Sequence, residues 1–217
     1  VILKEYYIDK ETPYFKEYAK EFTDMPFLVR VEDINGAVQP GRFLNAKDLG
    51  SKEDGADFQT VLIDETTNEI VVPNGTMGDR HTNPQKWNLR LENRNTGAKI
   101  DPRLSVFDQR EDVTIVKLPY FGDEEHEGVI ERAIPTITVQ TVDGPVKVTT
   151  VYDLILANYG IDRGIGGEVA KAYTDDTPYT PTWQEKITGV KADIAIATAR
   201  EFADNAEKTK GRSMIIM

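Results

Sequence analysis

Recurring turn dipeptides in the middle of the chain place the strongest limit on its fold. Between about residue 31 and residue 150 they separate short runs that are rich in β-branched residues, a pattern typical of strands joined by loops. The dipeptides are Asn35-Gly36, Asn74-Gly75, Thr96-Gly97 and Asp143-Gly144. This part of the chain is therefore predicted to consist mainly of strands and loops.

The last of these turns predicts a β-hairpin. Apolar or β-branched residues alternate with polar ones on both sides of Asp143-Gly144, at Ile137, Val139, Thr141, Val146 and Val148. A period of two is the spacing of a strand with one buried face, and Asp-Gly favours a tight hairpin turn. Val61–Ile63 and Ile70–Val72 are predicted to be two further short strands.

Helical patterns precede and follow this β-rich region. Thr12 is a suitable N-cap and Pro13 suits the first helical position, and Pro26 ends the pattern. One predicted face combines Tyr14, Phe15, Tyr18, Ala19 and Phe22. A buried strand, Phe27–Val31, is expected next.

The last third of the chain alternates helices with loops. Tyr152–Tyr159 is predicted to form a short helix closed by Gly160, and a second helix is expected to begin at Thr180-Pro181 and end at Gly189. A third carries an apolar stripe at Ala195, Ala199, Phe202, Ala203 and Ala206. Gly211 would end it, and the apolar run Ser213–Met217 would follow as a strand, which makes one half of a Rossmann-like unit. The predicted fold class is α/β of the mixed α+β kind.

Composition excludes several classes of protein. The chain has no cysteine, so it contains no disulfide, zinc–thiolate site, cysteine nucleophile or cysteine-ligated iron–sulfur cluster. A formal charge of −11 argues against a nucleic-acid partner, because phosphate binding needs clustered Lys and Arg. No apolar run approaches the roughly 18–20 residues that span a bilayer, so direct membrane insertion is not expected.

Two segments contain residue types that could bind a metal or an anion. The acidic run Asp123–Glu127 includes His126, one of only two histidines with His81, but its spacing fits no metal motif, so a solvated loop is predicted. The glycine-rich run Gly160–Gly167 lacks the Lys-Ser/Thr ending of a phosphate-binding loop and is predicted to be a flexible loop. Arg163 within it could contact an anion. Residue patterns alone predict no catalytic, cofactor-binding or metal-binding residue.

Several longer motifs resemble the alpha (catalytic) subunit of respiratory nitrate reductases. The most specific one runs from Val148 to Gly160. The others lie in collinear order over nearly the whole chain, at Tyr14–Val29, Val72–Gly75, Lys86–Leu89, Pro119–Gly122, Tyr179–Val190, Ala199–Ala206 and Gly211–Ile216. The turn Thr188-Gly189-Val190 and the helix that follows it resemble a segment found in molybdopterin oxidoreductases in general.

The resemblance implies a parent protein that reduces nitrate to nitrite at a molybdenum held by two molybdopterin guanine dinucleotides. It also implies a 4Fe–4S cluster, an iron–sulfur beta subunit and a membrane cytochrome b gamma subunit that delivers electrons from quinol at the cytoplasmic face of the membrane. The family's metal ligands do not map onto this chain: the molybdenum-ligating Asp falls upstream of Val1, and the cofactor-lining Gly-Ala-Gly and Asn-His stretch falls after Met217.

The resemblance also suggests an organisation. Residues 1–30 would form a helical segment, 31–150 a β-rich elaboration, and 151–217 a Rossmann-like part of the molybdopterin-cofactor domain, truncated at its C-terminus. Both ends have the apolar character of segments that continue in a longer protein, and an exposed strand at Met217 could promote self-association. On this interpretation the chain is an inactive fragment that carries no cofactor.

Two alternatives remain open at this point. The chain could be a non-catalytic module that binds partner or maturation subunits. Its parent could also be a sister molybdoenzyme that acts on chlorate, selenate or dimethyl sulfide.

Overall fold

The computed structural model describes residues 1–77, 89–120 and 128–214. They form two compact units. The first unit combines Val1–Tyr18, Leu118–Ala133 and Ile155–Met217, and the second combines Ala19–Lys117 and Ile134–Leu154. Helices and strands both contribute, which confirms the mixed α and β fold class. The three predicted segments, 1–30, 31–150 and 151–217, stay predictions.

Nine strands are described, and most of them lie in the predicted β-rich region. They are β1 Leu28–Ile34, β2 Ala37–Phe43, β3 Leu62–Ile63, β4 Ile70–Val71, β5 Pro73–Asn74, β6 Arg90–Asn93, β7 Asp112–Pro119, β8 Val129–Thr141 and β9 Gly144–Thr150. Five of them form one sheet in the order β2-β1-β9-β8-β7, while β3 pairs with β4 and β5 pairs with β6.

Two hairpins of the large sheet confirm the turn predictions. At the β1–β2 connection Asn35 and Gly36 both have positive φ angles, 58° and 81°, as a tight primed turn requires. At the β8–β9 connection Ile137 lies opposite Val148, and Thr141 lies opposite Gly144, in antiparallel register.

A hydrophobic core cluster of the second unit includes residues of these strands. It consists of buried side chains from strands and from the segments between them: Leu28, Leu44, Val61, Ile63, Val106, Val139 and Val148. The short runs predicted around residues 61 and 70 form strands β3 and β4. Val61 and Ile63 belong to this core, and Ile70 packs against it.

Four α-helices have bounds close to the predictions. They are α1 Pro13–Phe22, α2 Val151–Asn158, α3 Pro181–Thr188 and α4 Ala192–Thr209. The α3 cap is as predicted: Thr180 Oγ1 accepts a hydrogen bond from the Trp183 N–H at 3.1 Å, and Gly189 closes the helix with φ 75°. Helix α4 ends before the predicted Gly211, because Lys210 itself adopts the left-handed conformation with φ 57°.

The predicted apolar face of α1 is only half correct. Phe15 and Ala19 are buried, whereas Tyr18 is 46% and Phe22 is 65% exposed. Residues four positions apart form one ridge on a helix, so the predicted face consists of two neighbouring ridges. The ridge of Phe15 and Ala19 is buried, whereas the ridge that contains Tyr18 and Phe22 is exposed.

The two ends of the chain differ from the sequence-based expectation in different ways. Leu3–Asp9 forms a π-helical segment that the sequence patterns did not predict. The N–H of Lys10, directly after this segment, donates to the Glu5 carbonyl. Ser213 and Met214 are not in a strand, and the rest of the predicted strand lies outside the described residues. Within the described ranges, no helix has the length and apolar character needed to cross a membrane.

Candidate functional site

The first unit contains a largely apolar cavity of about 640 Å³, called here the unit-1 cavity. Its walls come from the π-helical segment, the loop after α2 and the segment that leads into α3. The lining residues are Val1 to Lys4, Tyr159 to Asp162, Ala170 to Tyr173, Tyr179 to Pro181 and Ala199. A cavity of this volume and apolar character is suited to binding a small molecule or another protein segment.

Tyr179, in the cavity wall, has a strained backbone and several aromatic neighbours. It has a positive φ of 73°, which costs a residue with a Cβ about 1–3 kcal/mol and persists only where the surroundings hold it. Its ring packs against Trp183 at 5.2 Å, Tyr159 at 5.5 Å and Tyr120 at 6.2 Å between centroids. Trp183 Nε1 also donates to the Tyr120 hydroxyl at 3.3 Å. This aromatic cluster holds the segment before α3 in a fixed position.

Arg132, on β8, lies close behind the same wall. Its side chain is 0% exposed, and its Nη2 donates to the Pro178 carbonyl at a long 3.4 Å. A Cβ built on the wall residue Gly160 would approach this Nη2 to 3.0 Å and crowd the guanidinium, and the Gly160 φ of +67° independently favours glycine. Burial lowers the pKa of the Arg132 guanidinium, against the opposing influence of Glu168.

A second polar group fixes the π-helical segment at the edge of the cavity. The Glu5 carboxylate accepts hydrogen bonds from Arg200 Nη2 at 2.7 Å and from the Tyr173 hydroxyl at 3.1 Å. The hydrogen bond from Arg200 is the main reason that the pKa of Glu5 lies below its usual value. Burial, together with the hydrogen bond to Glu5, raises the pKa of Tyr173. These groups stabilise the cavity wall and have no reactive partner among themselves.

A buried carboxylate organises the second unit. Asp153, on α2, is fully buried and accepts hydrogen bonds from Ser105 Oγ at 2.6 Å, from Thr150 Oγ1 at 2.9 Å and from the Val106 N–H at 2.9 Å. In return, the Asp153 N–H donates to Thr150 Oγ1 at 3.1 Å. All three donors belong to the second unit itself, so the carboxylate joins a loop to a helix start and has a structural role.

The described residues do not fit a molybdenum or iron–sulfur site. In the ranges the structure covers, no three His, Cys, Asp or Glu side chains gather where they could hold a metal ion. A thiolate-ligated cluster is excluded for the whole chain by its lack of cysteine. The sequence-based expectation that no residue here is catalytic, cofactor-binding or metal-binding stays a prediction.

The segments singled out from sequence lie in different places. His81, His126, the acidic run Asp123–Glu127 and Trp87 lie outside the described residues. Gly160–Gly167 forms a loop, as predicted, and it is fixed at both ends by isolated bridges between Ile161 and Ala170 and between Gly167 and Arg132. This loop brings Gly160 to the cavity, and it packs Gly167 directly on β8.

Sequence reasoning missed Arg132 and Tyr179. A signal for Arg132 was present, because it falls two residues after Ile130 in a β-rich run and therefore shares the inward face of the strand. Tyr179 gave no comparable signal, because a positive φ at a tyrosine is not visible in sequence.

Comparison with known proteins finds relatives along the full length of the chain. The nitrate reductase alpha chain of Bacillus subtilis is 46% identical over 217 residues, all of this chain and 18% of the relative. The respiratory nitrate reductase 1 alpha chain of Escherichia coli is 42% identical, again over all of this chain and 18% of the relative. The respiratory nitrate reductase alpha chain of a Bradyrhizobium species is 41% identical over 99% of this chain and 21% of the relative.

The chain thus spans about a fifth of the length of the curated relatives it matches. No protein-family model matches it. Its most specific motif, Val148 to Gly160, corresponds in the structure to the end of β9, the Asp153 hydrogen-bond network, α2 and the Gly160 cavity wall.

Proposed function

Because the chain is homologous over its full length to a segment of nitrate reductase alpha chains, we propose that it is part of the catalytic subunit of a nitrate reductase. The reaction of the whole protein would be the reduction of nitrate to nitrite. The observation that carries this proposal is 41–46% identity to three such alpha chains over 99–100% of this chain.

The proposed parent protein contains a molybdenum bis-molybdopterin guanine dinucleotide and a 4Fe–4S cluster. When bound, the molybdenum centre would supply the oxygen-atom transfer, and the cluster would carry electrons to it. The ligands of the cluster lie in other parts of the parent, since the cysteine-free chain offers none, and the resemblance implies that the molybdenum-ligating Asp lies upstream of Val1. The contribution of this chain is structural: the Asp153 network and the aromatic cluster around Tyr179 hold its two units in fixed conformations.

The proposed setting is respiratory. The parent would receive electrons from quinol through an iron–sulfur beta subunit and a membrane cytochrome b gamma subunit, and it would lie at the cytoplasmic face of the membrane. Support comes from relatives named respiratory nitrate reductase alpha chains in Escherichia coli and Bradyrhizobium.

The proposal is tested with the complete reading frame that contains this segment, expressed with its neighbouring subunit genes. Reduced viologen dye as electron donor should give nitrite from nitrate, with a higher kcat/KM for nitrate than for chlorate or selenate. Dimethyl sulfide is assayed separately, with an oxidising dye as electron acceptor. A preference for chlorate, selenate or dimethyl sulfide would assign the parent to a sister molybdoenzyme. No turnover of any of them by a folded, metal-loaded protein would overturn the enzyme assignment.

A further inference from the structure

The Arg132 guanidinium lacks most of the partners that a buried cation needs. The residue is 0% exposed, and its Nε and Nη1 have no hydrogen-bond partner in the structure. The long contact from Nη2 to the Pro178 carbonyl is the one hydrogen bond recorded for its side chain among the described residues. Glu168 lies near enough to influence its pKa, yet neither Nε nor Nη1 forms a hydrogen bond with it.

A buried guanidinium with so few partners lowers the stability of the fold unless a ligand forms hydrogen bonds with it. Arginine carries five N–H donors and stays protonated in proteins. A buried charge that has lost its counter-ion destabilises a protein strongly. A carboxylate, phosphate or nitrate group would satisfy the guanidinium, because its oxygens match the spacing of the N–H fork.

The surroundings of Arg132 connect it to the unit-1 cavity. Gly160 belongs to the cavity wall, and the position its Cβ would take lies 3.0 Å from Arg132 Nη2. Pro178, whose carbonyl accepts the one recorded bond, immediately precedes Tyr179 in the same wall. Two residues of the cavity wall, Gly160 and the conformationally strained Tyr179, therefore lie next to the guanidinium or next to the residue that it contacts.

We propose that Arg132 is the anchor of an oxyanion-binding site that is reached from the unit-1 cavity through the wall formed by Gly160 and Tyr179. The ligand is a small oxyanion, either free in solution or carried by a larger apolar molecule that occupies the cavity. Both edges of the guanidinium have an N–H left for it, because Nε and Nη1 are unpaired. This inference is independent of the proposed nitrate reductase function.

The test compares the thermal stability of the 217-residue chain in sodium phosphate and in sodium chloride at equal ionic strength and pH, followed by calorimetric titration with phosphate. Arg132→Met removes the positive charge. Arg132→Lys keeps the charge but removes the paired N–H donors of the guanidinium. Arg110→Met is the control, because Arg110 is an exposed guanidinium whose contacts among the described residues are with Phe107 in its own loop. Nitrate and acetate serve as planar probes beside tetrahedral phosphate.

We expect at least one oxyanion to raise the unfolding temperature of the wild-type chain and of Arg110→Met, and not that of Arg132→Met. Affinity should fall by about tenfold or more in Arg132→Lys, since a charge-assisted fork is replaced by a point charge. In chloride alone, Arg132→Met should be at least as stable as the wild-type chain, because it removes an unpaired buried charge.

Two results would overturn the proposal. One is equal stabilisation of the wild-type chain and Arg132→Met by every oxyanion, or no stabilisation of either. The other is a loss of stability in chloride for both Arg132→Met and Glu168→Gln, because Glu168 would then be the internal partner of the guanidinium.

Discussion

Replacing Asp153 with alanine is expected to destabilise the chain by about 3–5 kcal/mol, measured as the free energy of unfolding in urea. The carboxylate is fully buried, and three donors converge on it, from Ser105, Val106 and Thr150. Alanine would leave all three without their acceptor, and two of the donor residues, Val106 and Thr150, are fully buried. The loop that precedes β7 and the start of α2 would lose their common attachment.

Two further variants calibrate this prediction. Ser105→Ala removes one of the three donors and should cost about 1–2 kcal/mol. Asp54→Ala removes a carboxylate from an exposed position and should change the stability by less than about 0.5 kcal/mol. If Asp153→Ala lowered the free energy of unfolding no more than Asp54→Ala does, the Asp153 carboxylate would not have the structural role assigned to it.

Replacing Gly167 with alanine is expected to cost about 2–4 kcal/mol of stability, for two physical reasons. Gly167 has a φ of +78°, a conformation that residues with a Cβ rarely adopt. In addition, its new Cβ would lie 2.5 Å from the Ala133 backbone nitrogen on β8, and backbone cannot rotate away. The loop would have to separate from the strand that carries Arg132.

Gly164→Ala in the same loop is a matched control. Gly164 has a similar φ of +72°, but its Cβ would meet no atom within 4 Å. Gly164→Ala should therefore lower the free energy of unfolding only through the strained positive φ, by about 1–2 kcal/mol. The difference between the two unfolding free energies measures the close contact of the loop with β8, and equal losses would contradict that contact.

The elements that could be predicted from sequence have local causes. The Asp143-Gly144 hairpin and the Thr180 cap of α3 depend on residues only a few positions apart, and both have the predicted geometry. The resemblance to nitrate reductase alpha subunits likewise rests on local motifs, and the comparisons bear it out at 41–46% identity.

The features that could not be predicted depend on contacts between distant segments. Arg132 is buried because Gly160 and Pro178 pack beside it, and neither is near it in sequence. The Asp153 network likewise needs Ser105, 48 residues away. Half of the predicted face of α1 is exposed for the same reason: helical spacing identifies apolar ridges but not which ridge has a partner.

The central claim is that this chain is part of a nitrate reductase catalytic subunit and that the metal ligands lie elsewhere in that subunit. Elemental analysis of molybdenum and iron tests it most directly, on the purified 217-residue chain and on the complete parent protein in parallel. The parent should contain about one molybdenum per polypeptide together with cluster iron, and the chain alone should contain neither metal in stoichiometric amount. One equivalent of molybdenum in the isolated chain would contradict the placement of the ligands, and a parent without molybdenum would contradict the nitrate reductase assignment.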